Sequence, residues 1–152
     1  MNRIDLHSAL DGIKAVSPVR LVEIQARINR QAKPKGSLGR LEEFARRYVA
    51  ITGREEICKK VVFTFAGDHG VTAEGVSAFP REVTPQMVFN FLEGGAAINA
   101  LARHAGAEVI VVDMGVDYEF KPMASLLQKK IARGTKNFTK RAAMTREEAI
   151  RS

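Results

Sequence analysis

The sequence has few of the features that mark several large protein classes. Its 152 residues contain a single cysteine, Cys58, which excludes a disulfide within the chain and any cysteine cluster for a metal. We expect Cys58 to be a small packed side chain, with a reactive thiol as the alternative. Neither end carries an apolar run long enough to cross a bilayer, and the first residues lack a signal-peptide core. These absences predict a cytoplasmic protein that does not bind membranes.

Nucleotide and metal motifs are also absent. No GxGxxG follows a strand and no GxxxxGK[ST] occurs, which argues against a dinucleotide site or a P-loop. His69 has no second imidazole near it in the HxH or HxxxH spacing that metal sites use. The sequence therefore predicts neither a cofactor nor a metal ion.

The charge of the chain is +7, and much of the excess lies on Arg40, Arg46, Arg47 and the segment 129–151. Such an excess raises the possibility of nucleic-acid binding. Neither region interleaves its basic residues with a series of aromatic side chains that could stack on bases. Nucleic-acid binding is therefore an alternative and not the main prediction.

The first part of the chain predicts two amphipathic helices. Ser17-Pro18 has the pattern of an N-cap followed by proline at the first helical position. A turn over 33–37 separates this helix from a second one, which should end at Gly53. Apolar spacing predicts the buried faces, which are Leu21, Ile24 and Ile28 in the first helix and Leu41, Phe44, Ala45, Tyr48 and Ile51 in the second.

The remainder alternates between strand and helix patterns. Residues 61–66 form a continuous apolar run, which predicts a strand covered on both faces. Thr84-Pro85 repeats the cap pattern, and the next helix should turn Ile98 and Leu101 inward. The predicted strands are 61–66, 108–113 and, more weakly, 128–132, and the predicted helices are 84–91, 96–104 (ended by Gly106) and one beginning at the capping box Thr145 to Glu148.

These elements predict an α/β fold, in which a parallel sheet with flanking helices follows a small N-terminal helical subdomain. Two strands joined by helices form a βαβ unit, whose crossover is right-handed. We place the helical segment at residues 1–56 and the first part of the α/β domain at 57–152.

The most informative stretch is 65–71, where a strand runs into Gly67, Asp68, His69 and Gly70. Parallel α/β folds bind small molecules beyond the carboxyl ends of their strands. Asp68 and His69 could hydrogen-bond a substrate, or bind a metal if Asp113 contributed a further ligand. The alternative is that Asp68 caps the turn and His69 fills a polar niche.

A second candidate feature is an apolar slot. Phe79, Met87 and Phe91 could line a slot for a flat heterocycle, with Thr84 and Gln86 at its rim. Because Met87 and Phe91 are four residues apart on one helix, they could equally be core residues.

Several segments together closely resemble one enzyme family, nicotinate-nucleotide–dimethylbenzimidazole phosphoribosyltransferase of cobalamin synthesis. The resemblance extends from about Leu21 to Ala149. It is carried by KPKGSLGRLE (33–42), AGDHGV (66–71), EGVSAFP (74–80), EVTPQMV (82–88), GGAAIN (94–99) and VDMGVD (112–117).

The resemblance implies transfer of 5-phosphoribose from nicotinate mononucleotide to dimethylbenzimidazole, with a glutamate as general base and no metal. It also implies a Rossmann-like sheet and a homodimer. In the family the base lies against the segment that matches 75–87, where Phe79 and Met87 stand in places that are polar in some members. The substrate-binding residues predicted here are Asp68, His69, Ser77, Phe79, Thr84, Gln86 and Met87.

Family enzymes are considerably longer, and their catalytic glutamate lies near the carboxyl terminus. We therefore expect an amino-terminal portion with an incomplete sheet, no catalytic residue of its own and no turnover. The rival hypotheses are a non-catalytic module that binds benzimidazole-like heterocycles and a basic nucleic-acid-binding domain.

Overall fold

The computed structural model describes residues 6–151, and the chain divides into two compact units between residues 58 and 59. The domain boundary predicted at residues 56 and 57 stays a prediction. In the part of the chain that the structure describes, no helix is long and apolar enough to cross a membrane.

Over residues 6–58, the first unit contains three helices, α1 (Leu6–Asp11), α2 (Pro18–Asn29) and α3 (Arg40–Thr52). The Ser17 hydroxyl accepts the backbone N–H of Arg20 at 3.4 Å, so the predicted N-cap is confirmed. Helix α3 ends at Gly53 in the left-handed conformation, which glycine adopts without a steric penalty.

The apolar face predicted for α3 is not buried within the unit. Leu41, Phe44 and Ile51 are 64%, 52% and 67% exposed, whereas Glu42 and Ala50 are buried. The burial of Glu42 is tolerated because Lys33 Nζ lies 2.6 Å from its Oε1 and the Leu38 amide donates to the same oxygen at 3.3 Å. Periodicity alone thus selected the wrong face. Cys58 is also exposed and is not the packed side chain that we expected.

The buried Glu42 carboxylate makes the stability of the helical unit dependent on pH. The hydrogen bond from Lys33 lowers the pKa of Glu42 below its usual 4.5; burial opposes this shift, and the Leu38 amide adds to it. A depressed folded pKa gives stability that is present above the unfolded value and lost as the pH falls through the folded value.

We therefore expect Glu42→Gln to lower the helical melting temperature at neutral pH and to have no effect in acid. Circular dichroism melts of both proteins from about pH 7 to about pH 3 would show whether their melting temperatures become equal as the pH falls. Glu43→Gln is the matched control, since Glu43 makes only an exposed pair with Arg47 at 3.3 Å. If Glu42→Gln lowered the melting temperature equally at every pH, the Glu42 charge would not be the source of the pH dependence.

The second unit has a parallel sheet of three strands in the order β1-β2-β3. These strands are β1 (Val61–Gly67), β2 (Glu108–Gly115) and β3 (Leu126–Gln128). Helices α4 (Val83–Leu92) and α5 (Ala97–Ala105) connect β1 to β2, as the predicted βαβ unit requires. A 3₁₀ turn over Gly70–Glu74 follows β1, and α6 (Arg146–Arg151) lies at the end of the described chain.

One face of this sheet packs against helix α4. The core consists of Val88, Val111, Val116, Phe120 and Leu126, with Phe89, Phe91 and Leu92 packed against it. A cluster of this kind stabilises the unit because it removes apolar surface from water. The prediction of an α/β fold with a parallel sheet and flanking helices is confirmed.

Three local predictions for this unit are wrong. Phe63 and Phe65 are 52% and 67% exposed, so β1 is covered on one face only. Leu101 is 66% exposed, because α5 buries Asn99 and Ala102 instead. The weak strand lies at 126–128, not 128–132.

Helix caps were predicted with mixed success. Glu82, not Thr84, precedes α4, and Thr84 lies inside the first turn. The capping box before α6 is confirmed, since the Thr145 amide donates to Glu148 at 2.7 Å and the Glu148 amide donates to Thr145 at 3.1 Å. Gly106 ends α5 in the left-handed conformation, also as predicted.

Candidate functional site

Asp68 connects three elements at the carboxyl end of the sheet. Its Oδ1 accepts the Thr84 hydroxyl at 2.8 Å, and its Oδ2 accepts the backbone N–H of Asp117 at 2.7 Å. The side chain is buried, and the Asp68 amide donates to Gly115 at 3.0 Å. Asp68 therefore holds β1, α4 and the turn after β2 in one arrangement, and both carboxylate oxygens are occupied.

Asp113 performs a similar task at the end of β2. Its Oδ1 accepts the amides of Gly115 and Val116 at 3.0 and 2.8 Å, and its Oδ2 lies 3.1 Å from Lys130 Nζ. These contacts do not bring it together with Asp68 and His69 as metal ligands. Over residues 6–151 there is no group of three or more His, Cys, Asp or Glu side chains that could hold a metal ion.

His69 lies on the far side of the turn from the Asp68 carboxylate contacts. Its Nδ1 is 3.4 Å from the Thr135 hydroxyl, and its backbone forms a parallel bridge with Thr135. It faces a cavity of about 150 Å³ whose other walls include Met114, Ile131 and Met144. The structure thus separates His69 from the slot predicted around Phe79 and Met87.

Glu148 is the only glutamate among the described residues on the wall of that cavity. The backbone amide of Thr145 is the main reason that the pKa of Glu148 lies below its ordinary value. This carboxylate serves the capping box of α6, which accounts for its position.

An apolar cavity of about 370 Å³ lies between the end of β1, the loop over 72–81 and helix α4. Phe79 is 70% exposed and Met87 is 39% exposed, so their side chains are open to a ligand. The predicted residues that line this cavity are Asp68, Ser77, Phe79, Thr84, Met87 and Phe91, and they are joined there by Phe65, Pro80 and Val83.

Gln86 lies elsewhere. It lines a different cavity of about 410 Å³, with Arg81, Asp117 and Tyr118. Successive residues of a helix point about 100° apart, so Gln86 and Met87 face different spaces. The structure therefore does not place Gln86 at the rim of the Phe79 and Met87 slot.

Ser77 shapes the loop that presents Phe79. Its hydroxyl donates to the carbonyl of Phe79 at 2.9 Å and accepts the Phe79 amide at 3.3 Å. A serine that bonds its own backbone two residues ahead stabilises a turn. Ser77 thus fixes the position from which the Phe79 ring projects.

Sequence reasoning missed Arg81, Asp117 and Lys130. Arg81 lines both larger cavities and pairs with the Asp117 carboxylate at 3.6 Å. Asp117 binds Asp68 through its backbone N–H, and a contact of this kind does not depend on the side chain. Lys130 lies far along the chain, within the weak strand predicted at 128–132 and the basic segment 129–151.

The family model described as Phosphoribosyltransferase matches residues 13–152. The chain belongs to this phosphoribosyltransferase family. It is 63% identical over 147 residues to nicotinate-nucleotide–dimethylbenzimidazole phosphoribosyltransferase of Geotalea uraniireducens, a match that covers 95% of this chain and 42% of the relative. The corresponding protein of Geobacter sulfurreducens is also 63% identical over 147 residues.

The crystal structure of CobT from Thermus thermophilus has a similar fold. It superimposes with a TM-score of 0.81 at 47% sequence identity, over 88% of this chain and 41% of that chain. This likeness supports the α/β assignment. The chain spans 42% of the length of the curated relatives named above.

Proposed function

We propose that the cavity between β1, the 72–81 loop and α4 binds a flat aromatic base of the dimethylbenzimidazole type. The observation that supports this most strongly is the convergence of Asp68, Ser77, Phe79, Thr84 and Met87 on one apolar space. Apolar walls with a few fixed polar groups suit a heterocycle, which gains from stacking and burial.

The reaction that we propose for the whole protein is transfer of 5-phosphoribose from nicotinate mononucleotide to this base, the pair of substrates in the relatives' name. One ring nitrogen forms a bond to the anomeric carbon while the bond to the nicotinate nitrogen breaks. The other ring nitrogen gives up its proton to a general base. The products are α-ribazole 5′-phosphate and nicotinate.

In this chain we propose binding without turnover. Among the described residues on the cavity wall, Asp68 is the only carboxylate. Both of its oxygens already accept hydrogen bonds, from Thr84 and Asp117, so it is poorly placed to take the ring proton. Formation of α-ribazole phosphate above a no-enzyme control would contradict this part of the proposal.

Phe79 provides a direct test of base binding. We expect Phe79→Ala to weaken dimethylbenzimidazole binding roughly tenfold, because an exposed ring on the cavity wall is lost. Isothermal titration of the 152-residue chain would measure the dissociation constant. Phe138→Ala is the matched control, since Phe138 is 62% exposed and is not on the cavity wall.

The outcomes of this titration separate the rival functions. Equal affinities of the two variants for the base would place the base elsewhere. If the wild-type chain did not bind the base at millimolar concentration, the proposed function would be wrong. Gel retardation that disappears with modest added salt would indicate charge-driven contact with nucleic acid. Salt-resistant, sequence-selective retardation would favour the nucleic-acid alternative.

Three further expectations are proposals as well. We propose that 1–56 and 57–152 are separate domains, that the protein forms homodimers and that it is cytoplasmic. The exposed apolar side chains of α3, Leu41, Phe44 and Ile51, support an interface, because apolar groups of this kind favour association. Sedimentation over a range of protein concentrations would test the dimer.

A further inference from the structure

Lys130 is nearly buried immediately beyond the last strand, with its side chain 14% exposed. Its Nζ lies 3.1 Å from Asp113 Oδ2, and it donates to the carbonyl of Val116 at 3.2 Å and of Tyr118 at 2.5 Å. The ammonium group is also 5.8 Å from the centre of the Phe120 ring. The ammonium group thus donates two hydrogen bonds to carbonyl oxygens, and it faces the Asp113 carboxylate as an ion pair.

These contacts fix the turn over 113–118 from inside the fold. Asp113 accepts the amides of Gly115 and Val116, and Lys130 binds both Asp113 and the carbonyl groups farther along the same turn. Removing one member of a buried ion pair leaves the other charge without a partner, which is costly. Lys130 donates to the carbonyl groups on either side of Asp117, those of Val116 and Tyr118.

The Asp117 amide contacts a residue of the cavity wall, Asp68. It donates to Asp68 Oδ2, while Asp68 Oδ1 accepts the Thr84 hydroxyl. Thr84 lies on α4 one turn before Met87, and both line the apolar cavity. Lys130 is not itself on that wall.

We propose that Lys130 is a positioning residue for the base-binding cavity, acting through the 113–118 turn and Asp68; this inference rests on the proposed function. Lysine suits this position because its single nitrogen can approach several oxygens at once. Arginine has a planar fork that does not match three oxygens around one nitrogen, and methionine has a stem of similar length without any donor.

The test compares Lys130→Met with Lys129→Met in the 152-residue chain. Lys129 is exposed and contacts Asp113 only through its backbone amide, so it is a control of equal charge change. We expect Lys130→Met to weaken dimethylbenzimidazole binding about tenfold and Lys129→Met to leave it unchanged. We also expect the Asp117 amide proton to move upfield in the folded Lys130→Met protein, since its hydrogen bond to Asp68 lengthens.

The amide signal separates positioning from a merely structural role. Lower stability with an unmoved Asp117 amide and wild-type affinity would overturn the proposal. If Lys130→Met does not fold, Asp113→Asn combined with Lys130→Met removes the unpaired buried charge and provides the same two readouts. If the wild-type chain does not bind the base, the proposed function fails, and the Asp117 amide still decides whether Lys130 positions the turn.

Discussion

Replacing Gly70 with alanine should destabilise the α/β unit by about 3 kcal/mol. A Cβ at this position would lie 2.5 Å from the Asn137 nitrogen, 2.6 Å from the Lys136 carbonyl carbon and 2.7 Å from the Thr135 oxygen. All three are backbone atoms, so none can move aside as a flexible side chain would. The two loops would have to separate.

That separation would remove further contacts between the loops. The Gly70 amide donates to the Thr135 carbonyl at 2.9 Å. Glu74 accepts Asn137 and pairs with Lys140 at 3.3 Å. Urea unfolding followed by circular dichroism would measure the loss, because the midpoint shifts with the free energy of unfolding.

Gly67→Ala is the matched control for this variant, three residues earlier in the same motif. The nearest atom to its added Cβ is the Gly115 nitrogen at 3.8 Å, which is an ordinary contact. We expect its free energy of unfolding to change by less than about 1 kcal/mol. Equal effects of the two substitutions would contradict the close approach of the loops.

Asp68→Ala is expected to have the second large effect, about 3 kcal/mol of stability together with loss of base binding. The substitution leaves the Asp117 amide and the Thr84 hydroxyl without their acceptor at a buried position. Helix α4 and the turn after β2 would then lose their common anchor, and the cavity wall would relax. Urea unfolding and titration with dimethylbenzimidazole would measure the two effects.

Asp68→Asn separates the geometry of this residue from its charge. An asparagine oxygen can still accept the Asp117 amide, and the Thr84 hydroxyl can rotate to accept the new N–H group. We expect Asp68→Asn to retain folding and most of the base affinity. If asparagine were as harmful as alanine, Asp68 would contribute through its negative charge rather than through its hydrogen bonds.

Local signals in the sequence predicted much of the fold. Ser17, Gly53 and the Thr145 capping box each act within one helical turn, and all were placed correctly. The alternation of strand and helix patterns after residue 60 predicted the parallel arrangement. These features depend on neighbours in the chain, which is why they can be predicted from sequence.

Burial was harder to predict, because it depends on which elements meet. The spacing of Leu41, Phe44 and Ile51 is that of a buried face, yet Glu42 is buried instead, in contact with Lys33 and Leu38. The run at 61–66 has the composition of a doubly covered strand, but one of its faces is open. Periodicity identifies an apolar face without identifying its partner.

In the candidate site, too, contributions from chain neighbours were predicted and contributions from distant residues were missed. Loop and helix residues close in sequence, such as Phe79, Met87 and Phe91, were predicted together and line one cavity. The contributions of Asp117 and Lys130 were missed, since a backbone amide has no side-chain signal and Lys130 lies 62 residues after Asp68.

A nuclear magnetic resonance titration of the ¹⁵N-labelled chain with dimethylbenzimidazole would show whether the base binds in the cavity beside Phe79. The structure predicts saturable shifts of the amide signals of Phe79, Thr84 and Met87, with those of Ile131 and Met144 in the His69 cavity unmoved. Saturable shifts centred on Ile131 and Met144, or no shifts at millimolar base, would contradict binding in the cavity beside Phe79.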